Sequence, residues 1–445
     1  MYAERFRTHH DAESRLTSAL NPDAGRERSG AGRRDRQGEL EEWLRGNPEE
    51  PVRDAGVYIH VPWCDTLCSF CNLNRKAAGS MDGEAYTAGI VGEIQRWGAS
   101  PALQKQRFAA IYLGGGTPTV LSTAQLTAII HALKDRLPLA ADCEISVETT
   151  LHNLSPPKAA ALLQAGVNRL SLGIQTFSDR GRKLLGRSYG EKQSVERLKS
   201  LRGNFDGALC VDLIYSYPGE TIGEAKRDAE LVLATGVDSV SFYSLMLNEG
   251  SFLSCQIRDG KVAMDRSLES EKALHHLLYD TLGGAGFSLL ELTKLALPGR
   301  DRYRYIQVQY ERGDLLPLGP GAGGRLGKFS LYNTASGSVV VSERKAAHEP
   351  YYRMLGQLEL ARYDPALLCA DLNAAETVST LRCLASLAER GLLEPDENGA
   401  CRATRDGVFW GNNMAWEILA AALRAGPGDD ASTATAGGGA YAKNR

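Results

Sequence analysis

The feature that most constrains this chain is a regular alternation of short β-rich runs with helix-like stretches. The runs are VYIHV (57–61), FAAIYLG (108–114), EISVET (144–149), RLSLGI (169–174), LCVDLIY (209–215) and SVSFYSL (239–245). Between them, 83–97, 122–136, 155–165, 191–202 and 220–234 carry helical periodicity. Strands joined in series by helices run parallel, with right-handed crossovers. Helix starts are visible at Ser122 and at Ser155, which is followed by Pro156 and Pro157. Six units fall short of the eight that close a barrel, so the expected fold is α/β, a partial (β/α)6 barrel.

The flanks read differently. Residues 1–55 are charged and Gly-rich and suggest an arm with one short helix near Glu39 to Arg45. The barrel and an accessory segment are expected over 56–345, including a further helix at 266–285 and the Gly-rich run LGPGAGGRLG (318–327). Over 346–425, helical patterns at 348–361 and 375–390 precede GLLEPDENGACRATRDGVFW. That stretch reads as a hairpin turning at Asp396, Glu397 and Asn398, which suggests a small C-terminal winged-helix-like α/β module. Residues 426–445, rich in Gly, Ala and Thr, are expected to be a disordered tail.

Composition excludes several classes. A net charge of −3 over 445 residues gives no reason to expect nucleic acid or an anionic membrane as partner. No stretch has the apolar length of a membrane span, and MYAERFRTHH lacks the apolar core of a signal peptide. The expected setting is cytoplasmic, where thiols stay reduced. Of nine cysteines, Cys143, Cys210, Cys255, Cys369, Cys383 and Cys401 are scattered and read as buried hydrophobes or surface thiols. Cys64, Cys68 and Cys71 are packed into WCDTLCSFC, directly after the first strand. Three thiolates in one loop suit a [4Fe–4S] cluster with one iron left open. A structural zinc site would need a fourth Cys or His close by, and His60 on the strand is a poor fourth ligand.

Polar and glycine-rich features gather at the strand ends: GGGTP (114–118), Glu148, Gln175, Asp212 with Tyr215, and Tyr243. The C-terminal ends of barrel strands form one face, where active sites lie. Taken singly, each has an ordinary structural reading as a turn, a satisfied core polar group or a cap. Together they define a mouth that also holds the cysteines.

HVPWCDTLCSFC, YLGGGTPT, GVNRLSLGIQTF, LLGRSYG and VDLIYSYPGET together resemble the radical S-adenosylmethionine (SAM) family of oxygen-independent coproporphyrinogen III oxidase, the HemN-like branch. The resemblance runs from about Tyr58 to Tyr243 and, more loosely, through LELTKLALPGR and LLPLGPGAGGRLG. It implies that Cys64, Cys68 and Cys71 hold a [4Fe–4S] cluster whose open iron chelates a first SAM. Tyr58 and Phe70 then pack beside the cofactor, and Gly115, Gly116 and Thr117 border it. Glu148, Gln175, Arg187 and Asp212 correspond to its polar contacts. A second SAM is bordered by Gly116, Tyr243 and the loop Gly319 to Gly324, hence Gly321, Ala322 and Gly323. Tyr58, Asp212 and Tyr243 are the candidate catalytic residues.

The branch holds several activities. The GAGG loop and the FWGNNM ending at Met414 look most similar to methyltransferases that use two SAM molecules on a tetrapyrrole such as haem or on a heteroaromatic substrate. The resemblance then implies radical transfer of a methylene group to an sp² carbon, driven by one electron from a flavodoxin- or ferredoxin-type donor. The alternatives are a coproporphyrinogen III decarboxylase and a haem chaperone; the chaperone type has a His where this chain has Gly323 and Gly324. Arg300, Arg302, Arg304 and Arg312 are candidates for clamping tetrapyrrole propionates, or else form a solvated loop balanced by Asp301 and Glu311.

Overall fold

The computed structural model describes residues 5, 14–16, 36–46, 53–71, 75–264, 266–397 and 400–426. The chain divides into two compact units, 34–346 and 347–445 together with 1–33. The expected disordered tail lies, from residue 427 on, outside the described residues, as does most of the N-terminal arm.

In the larger unit, helix α1 (Gln37–Arg45) precedes six parallel strands and the helices between them. These are β1 (Asp54–Val61), α2 (Gly83–Gly98), β2 (Arg107–Gly115), α3 (Thr123–Arg136), β3 (Leu139–Thr149), α4 (Pro156–Ala165) and β4 (Arg169–Gln175). They continue with α5 (Asp179–Leu185), α6 (Glu191–Asn204), β5 (Ala208–Tyr215), α7 (Ile222–Ala234) and β6 (Ser239–Ser244). Ser122 closes a capping box with Gln125, and the Ser155 side chain accepts from the Lys158 amide ahead of two prolines, so both sequence-marked helix starts are true N-caps.

The sheet does not end at six strands. After α8 (Leu268–Gly284) come β7 (Ser288–Glu291), β8 (Lys294–Ala296), α9 (Arg304–Tyr310), β9 (Leu315–Leu318), β10 (Gly323–Leu326), β11 (Phe329–Asn333) and β12 (Val339–Glu343). The strand order is β12-β11-β10-β9-β1-β2-β3-β4-β5-β6-β8-β7. β9 is a seventh parallel strand, paired with β1 from Gly56↔Leu315 to Ile59↔Leu318. The barrel stays open, its edges formed by the antiparallel strands β12 and β7. The Gly-rich run is therefore a tight turn after β9 that leads directly into β10. The basic run after Pro298, expected as a loop, turns into helix α9 at Arg304, with Arg300, Arg302 and Arg312 outside it.

The core is the outward-facing half of every strand packed on the helices, from Val57, Ile59 and Val61 through Leu170 and Leu172 to Val240 and Phe242. The inner half is polar, and at its base a buried ion pair ties the α9 approach to β4. Arg169 donates from Nε and a terminal nitrogen to the two Asp301 oxygens at 2.9 and 3.1 Å, with both side chains at most 1% exposed.

The second unit has its own core, in which Leu358, Leu387, Phe409, Trp410, Met414, Ile418 and Leu419 meet. It contains α10 (Glu349–Glu359), α11 (Ala374–Glu389), the hairpin β13 (Leu393–Pro395) with β14 (Cys401–Ala403), α12 (Arg405–Phe409) and α13 (Gly411–Ala425). The hairpin is shorter than its sequence suggests: DGVFW turns into α12, and FWGNNM opens a further long helix. Asn398 of the expected turn lies outside the described residues.

Candidate active site

The strands are buried almost end to end, and the exceptions on their inner face define the site. β1 is interrupted at Tyr58, β3 near its end at Glu148, β4 at Gly173 and Gln175, β5 at Asp212 and β6 at Tyr243. Register brings them side by side: Gly173 pairs with Asp212, and Ile214 with Tyr243. Of the strand-end residues singled out in the sequence, only Tyr215 does not join them. It is three residues from Asp212 and so points to the other face, 1% exposed, its ring 6.3 Å from that of Phe242.

The cysteine loop follows β1 across this mouth. Cys64 is buried, and Cys68 and Cys71 are partly exposed; all nine cysteines are free thiols. The loop is pinned at Ser69: its amide donates to Leu185 O, its hydroxyl to Leu184 O at 2.6 Å, and its carbonyl accepts from the Leu253 amide at 2.8 Å. Burial pushes the Cys64 thiol up, partly offset by a hydrogen bond with Thr117. Arg187 reaches in from the segment after α5, donating to Gly173 O and lying 3.1 Å from Cys68 Sγ. Its hydrogen-bond neighbours here are a sulfur and a carbonyl. A small open cleft lies beside the loop, lined by Asp65, Thr66, Thr117, Gly173, Arg187 and Tyr189 among others. Among the described residues, no group of three His, Cys, Asp or Glu side chains is gathered around one metal-ion position.

The three glycines at the end of β2, Gly114 and Gly115 in the strand and Gly116 just after it, make room for protein groups. A Cβ on Gly114 would stand 2.9 Å from Glu148 Oε2, one on Gly115 2.7 Å from the His60 ring, and one on Gly116 2.5 Å from Trp63 O. The backbone of the cysteine loop can cross the end of β2 only because residue 116 lacks a side chain, and Gly116 N and Thr117 N donate to Val61 O and Trp63 O, both at 2.7 Å. On the other side of β1, a Cβ on Gly319 would stand 2.9 Å from His60 O. Both glycine segments thus flank the end of β1. Gly321 N donates to Asn333 O at 2.7 Å. Gly323 lies exposed at the start of β10 with no atom closer than 3.9 Å to its built Cβ, whereas Ala322 has no exposed surface and can only shape the turn.

Glu148 is a strongly perturbed acid at the mouth. It accepts from Tyr112 Oη at 2.7 Å and from Gly115 N at 3.1 Å. Burial, with the nearby Asp212 charge, nevertheless pushes its carboxyl up to about 7. Burial likewise raises the Tyr58 and Tyr243 phenols. The Tyr58 hydroxyl lies 2.9 Å from His60 Nδ1. Gln175, at the end of β4, holds φ of 70°, a left-handed conformation unusual for a non-glycine residue. Phe70 packs into a small apolar cluster with Leu185, Tyr217 and Leu253.

Two groups were misread or missed in the sequence. Arg300, Arg302 and Arg304 lie at the opposite end of the barrel, paired with Asp238, Asp142 and Asp54, the last two at the starts of β3 and β1. They are not placed to clamp a substrate at the mouth, and Asp301, expected to balance them, is buried against Arg169. The floor of the site went unread: the Tyr303 ring lies between Arg169 (4.1 Å to the ring centre) and Lys294 (5.0 Å), and Tyr112 stacks on Tyr305 at 4.4 Å. The inward parity of Tyr112, two residues before Gly114, was the available signal.

An open parallel α/β barrel with a three-cysteine loop at its C-terminal mouth defines the radical SAM class. Residues 58–232 match the model of the Radical SAM superfamily. The chain is 29% identical over 377 residues to anaerobilin synthase of Escherichia coli O157:H7, spanning 83% of this chain and 84% of that protein. It is 31% identical over 280 residues to the haem chaperone HemW of Lactococcus lactis, spanning 62% of this chain and 71% of that one. The structure of coproporphyrinogen III oxidase (HemN) from Escherichia coli overlays with a TM-score of 0.71 over 86% of this chain and 93% of that one, at 22% identity, a likeness of fold. The chain belongs to the HemN-like radical SAM family, and membership implies a [4Fe–4S] cluster and SAM. The residues present fit that pair: three thiols on one pinned loop, a guanidinium beside one sulfur, and a cleft next to them. No helix among the described residues is long and apolar enough to cross a membrane.

Proposed function

We propose that this radical SAM enzyme methylates an sp² carbon of a tetrapyrrole, or of a heteroaromatic molecule of similar flatness, with two SAM molecules. The observation that carries the reading is the run of partly open inner-face residues, Tyr58, Glu148, Gly173, Gln175, Asp212 and Tyr243, in otherwise buried strands beside a three-cysteine loop. Similar proteins named for haem, coproporphyrinogen and a bilin favour a tetrapyrrole.

Cys64, Cys68 and Cys71 would hold the cluster. A cluster bound there would supply the one-electron reducing chemistry for cleavage of SAM, with the electron coming from a flavodoxin- or ferredoxin-type donor. Arg187, beside Cys68, offsets the negative charge of thiolate ligands and fixes the loop to β4. Asp212 suits ribose hydroxyls as an acceptor. Glu148 and Gln175 offer a carboxyl and an amide to the remaining polar atoms of a first SAM, with Tyr58, Phe70 and Thr117 beside it. Tyr243 and the turn around Gly321 and Gly323 border the space for a second. The exposed Gly323 leaves that space open, whereas Ala322 acts only through the turn.

The test is mass spectrometry of the anaerobically reconstituted enzyme with haem, with coproporphyrinogen III and with heteroaromatic acids, measuring 5′-deoxyadenosine and S-adenosylhomocysteine together. Methyl transfer predicts that both rise with substrate and that the substrate gains 14 mass units, the CH₂ that methylation adds. 5′-Deoxyadenosine alone, with loss of carboxyl groups from a porphyrinogen, indicates the decarboxylase. Stoichiometric haem binding with neither product indicates a chaperone.

A further inference from the structure

The cysteine loop has an outer side that the cleft does not use. Asp65 and Thr66 line the cleft, and Leu67, next along the loop, does not; it stands 50% exposed. Beside it, the short helix Phe252–Arg258 begins with Phe252, 65% exposed. The following residue, Leu253, is fully buried and donates its amide to Ser69 O, so Phe252 is anchored to the cysteine loop itself. Isolated exposed apolar residues are ordinary, but two large ones on one loop system rimmed by charge mark an interaction surface.

The rim is basic. Exposed Lys183 lies on α5, whose last two carbonyls accept from Ser69. Arg75 donates to Cys68 O at 2.9 Å, and exposed Lys76 follows it, its amide bonded to Pro62 O. Arg258 and Lys261 share the single carboxylate Asp259. Five cations stand against Asp65, Glu249 and Asp259, in a chain whose net charge is −3. Such a local reversal of sign steers an acidic partner to one face.

We propose that this face, Leu67 and Phe252 ringed by Arg75, Lys76, Lys183, Arg258 and Lys261, docks a small acidic one-electron carrier protein. The inference rests on the cysteine loop holding the redox centre. One electron leaves the reduced carrier and enters the centre held by the loop, and the carrier departs oxidised by one electron. No bond forms or breaks at the face, and no proton crosses it. Electron tunnelling decays steeply with distance, and this is the loop's open side away from the cleft, so the carrier docks close without obstructing the substrate.

The experiment uses the reconstituted holoenzyme and the double variant Phe252→Ser with Lys183→Glu, both changes at exposed positions. Direct binding of flavodoxin is measured by calorimetry at low and high salt, and SAM cleavage is measured with reduced flavodoxin and, separately, with dithionite. The expected result is flavodoxin binding weakened about tenfold or more, a comparable loss of flavodoxin-driven cleavage, and dithionite-driven cleavage unchanged within about twofold. Salt should weaken wild-type binding more than that of the variant. Unchanged flavodoxin binding overturns the proposal. So does a wild-type dimer by sedimentation that the variant dissociates, because the face then belongs to a second copy. Absence of dithionite-driven cleavage in the wild type would instead remove the radical SAM reading of the loop, and the docking role with it.

Discussion

A carboxyl held between the Tyr112 hydroxyl and the Gly115 amide keeps its proton to about 7 because burial and the Asp212 charge outweigh those two hydrogen bonds. In the unfolded chain Glu148 would release that proton near 4.5. Between these values the folded state holds a proton that the unfolded chain has lost, so this contribution to stability is full below 4.5 and falls as pH rises towards 7. The size is up to about 3 kcal/mol, an upper figure because the group opens on the mouth. Urea unfolding in the absence of SAM should show the decline. Glu148→Gln should make the decline shallower by its own share, leaving slopes of the same sign from Asp228, which burial raises to about 6, and from Glu220, which burial raises well above the usual carboxylate range. An unchanged slope in the variant would show that Glu148 titrates normally. Among the thiols, Cys68→Ala should abolish iron loading, and Cys143→Ala, Cys255→Ala or Cys401→Ala should leave it nearly intact; iron analysis and electron paramagnetic resonance decide.

At the scale of elements, the glycine at 116 and the pair Arg169–Asp301 set where the mouth sits. Gly116→Ala would drive a methyl group against the Trp63 backbone, so the cysteine loop must shift. The expected outcome is a folded protein with impaired cluster loading; full loading with unchanged SAM cleavage would show that the loop can yield at no cost. Asp301→Ala leaves the Arg169 charge buried without its carboxylate and should destabilise the barrel by about 3–5 kcal/mol in chemical denaturation. The six βα units were legible because parity and period are local: inward Glu148 and Asp212 alternate with outward Val147 and Val211. Their convergence on one face was legible for the same reason. The seventh parallel strand was not, since LLPL is short, holds a proline and is defined only by pairing with β1. Nor was the fate of the arginine run, because Asp54, Asp142 and Asp238, its partners, are distant in sequence. The glycines after β2 were legible as a close approach, but what approaches them, the His60 ring and the Trp63 backbone, is a matter of tertiary packing.

The whole chain consists of two units, each with a separate apolar core. Met414 is fully buried in the smaller one, so Met414→Ala should cost about 2–5 kcal/mol there. Calorimetry should show one component of melting shifted, with iron content per chain unchanged; loss of iron would mean that the units fold as one. The central claim concerns the larger unit: the proposal that two SAM molecules act together at its mouth. The most direct measurement supplies SAM with a fully deuterated methyl group and follows the label by mass spectrometry. The account predicts 5′-deoxyadenosine carrying one deuterium and a methylated product retaining two. 5′-Deoxyadenosine free of methyl-derived deuterium, or a product methyl group with all three, would contradict it.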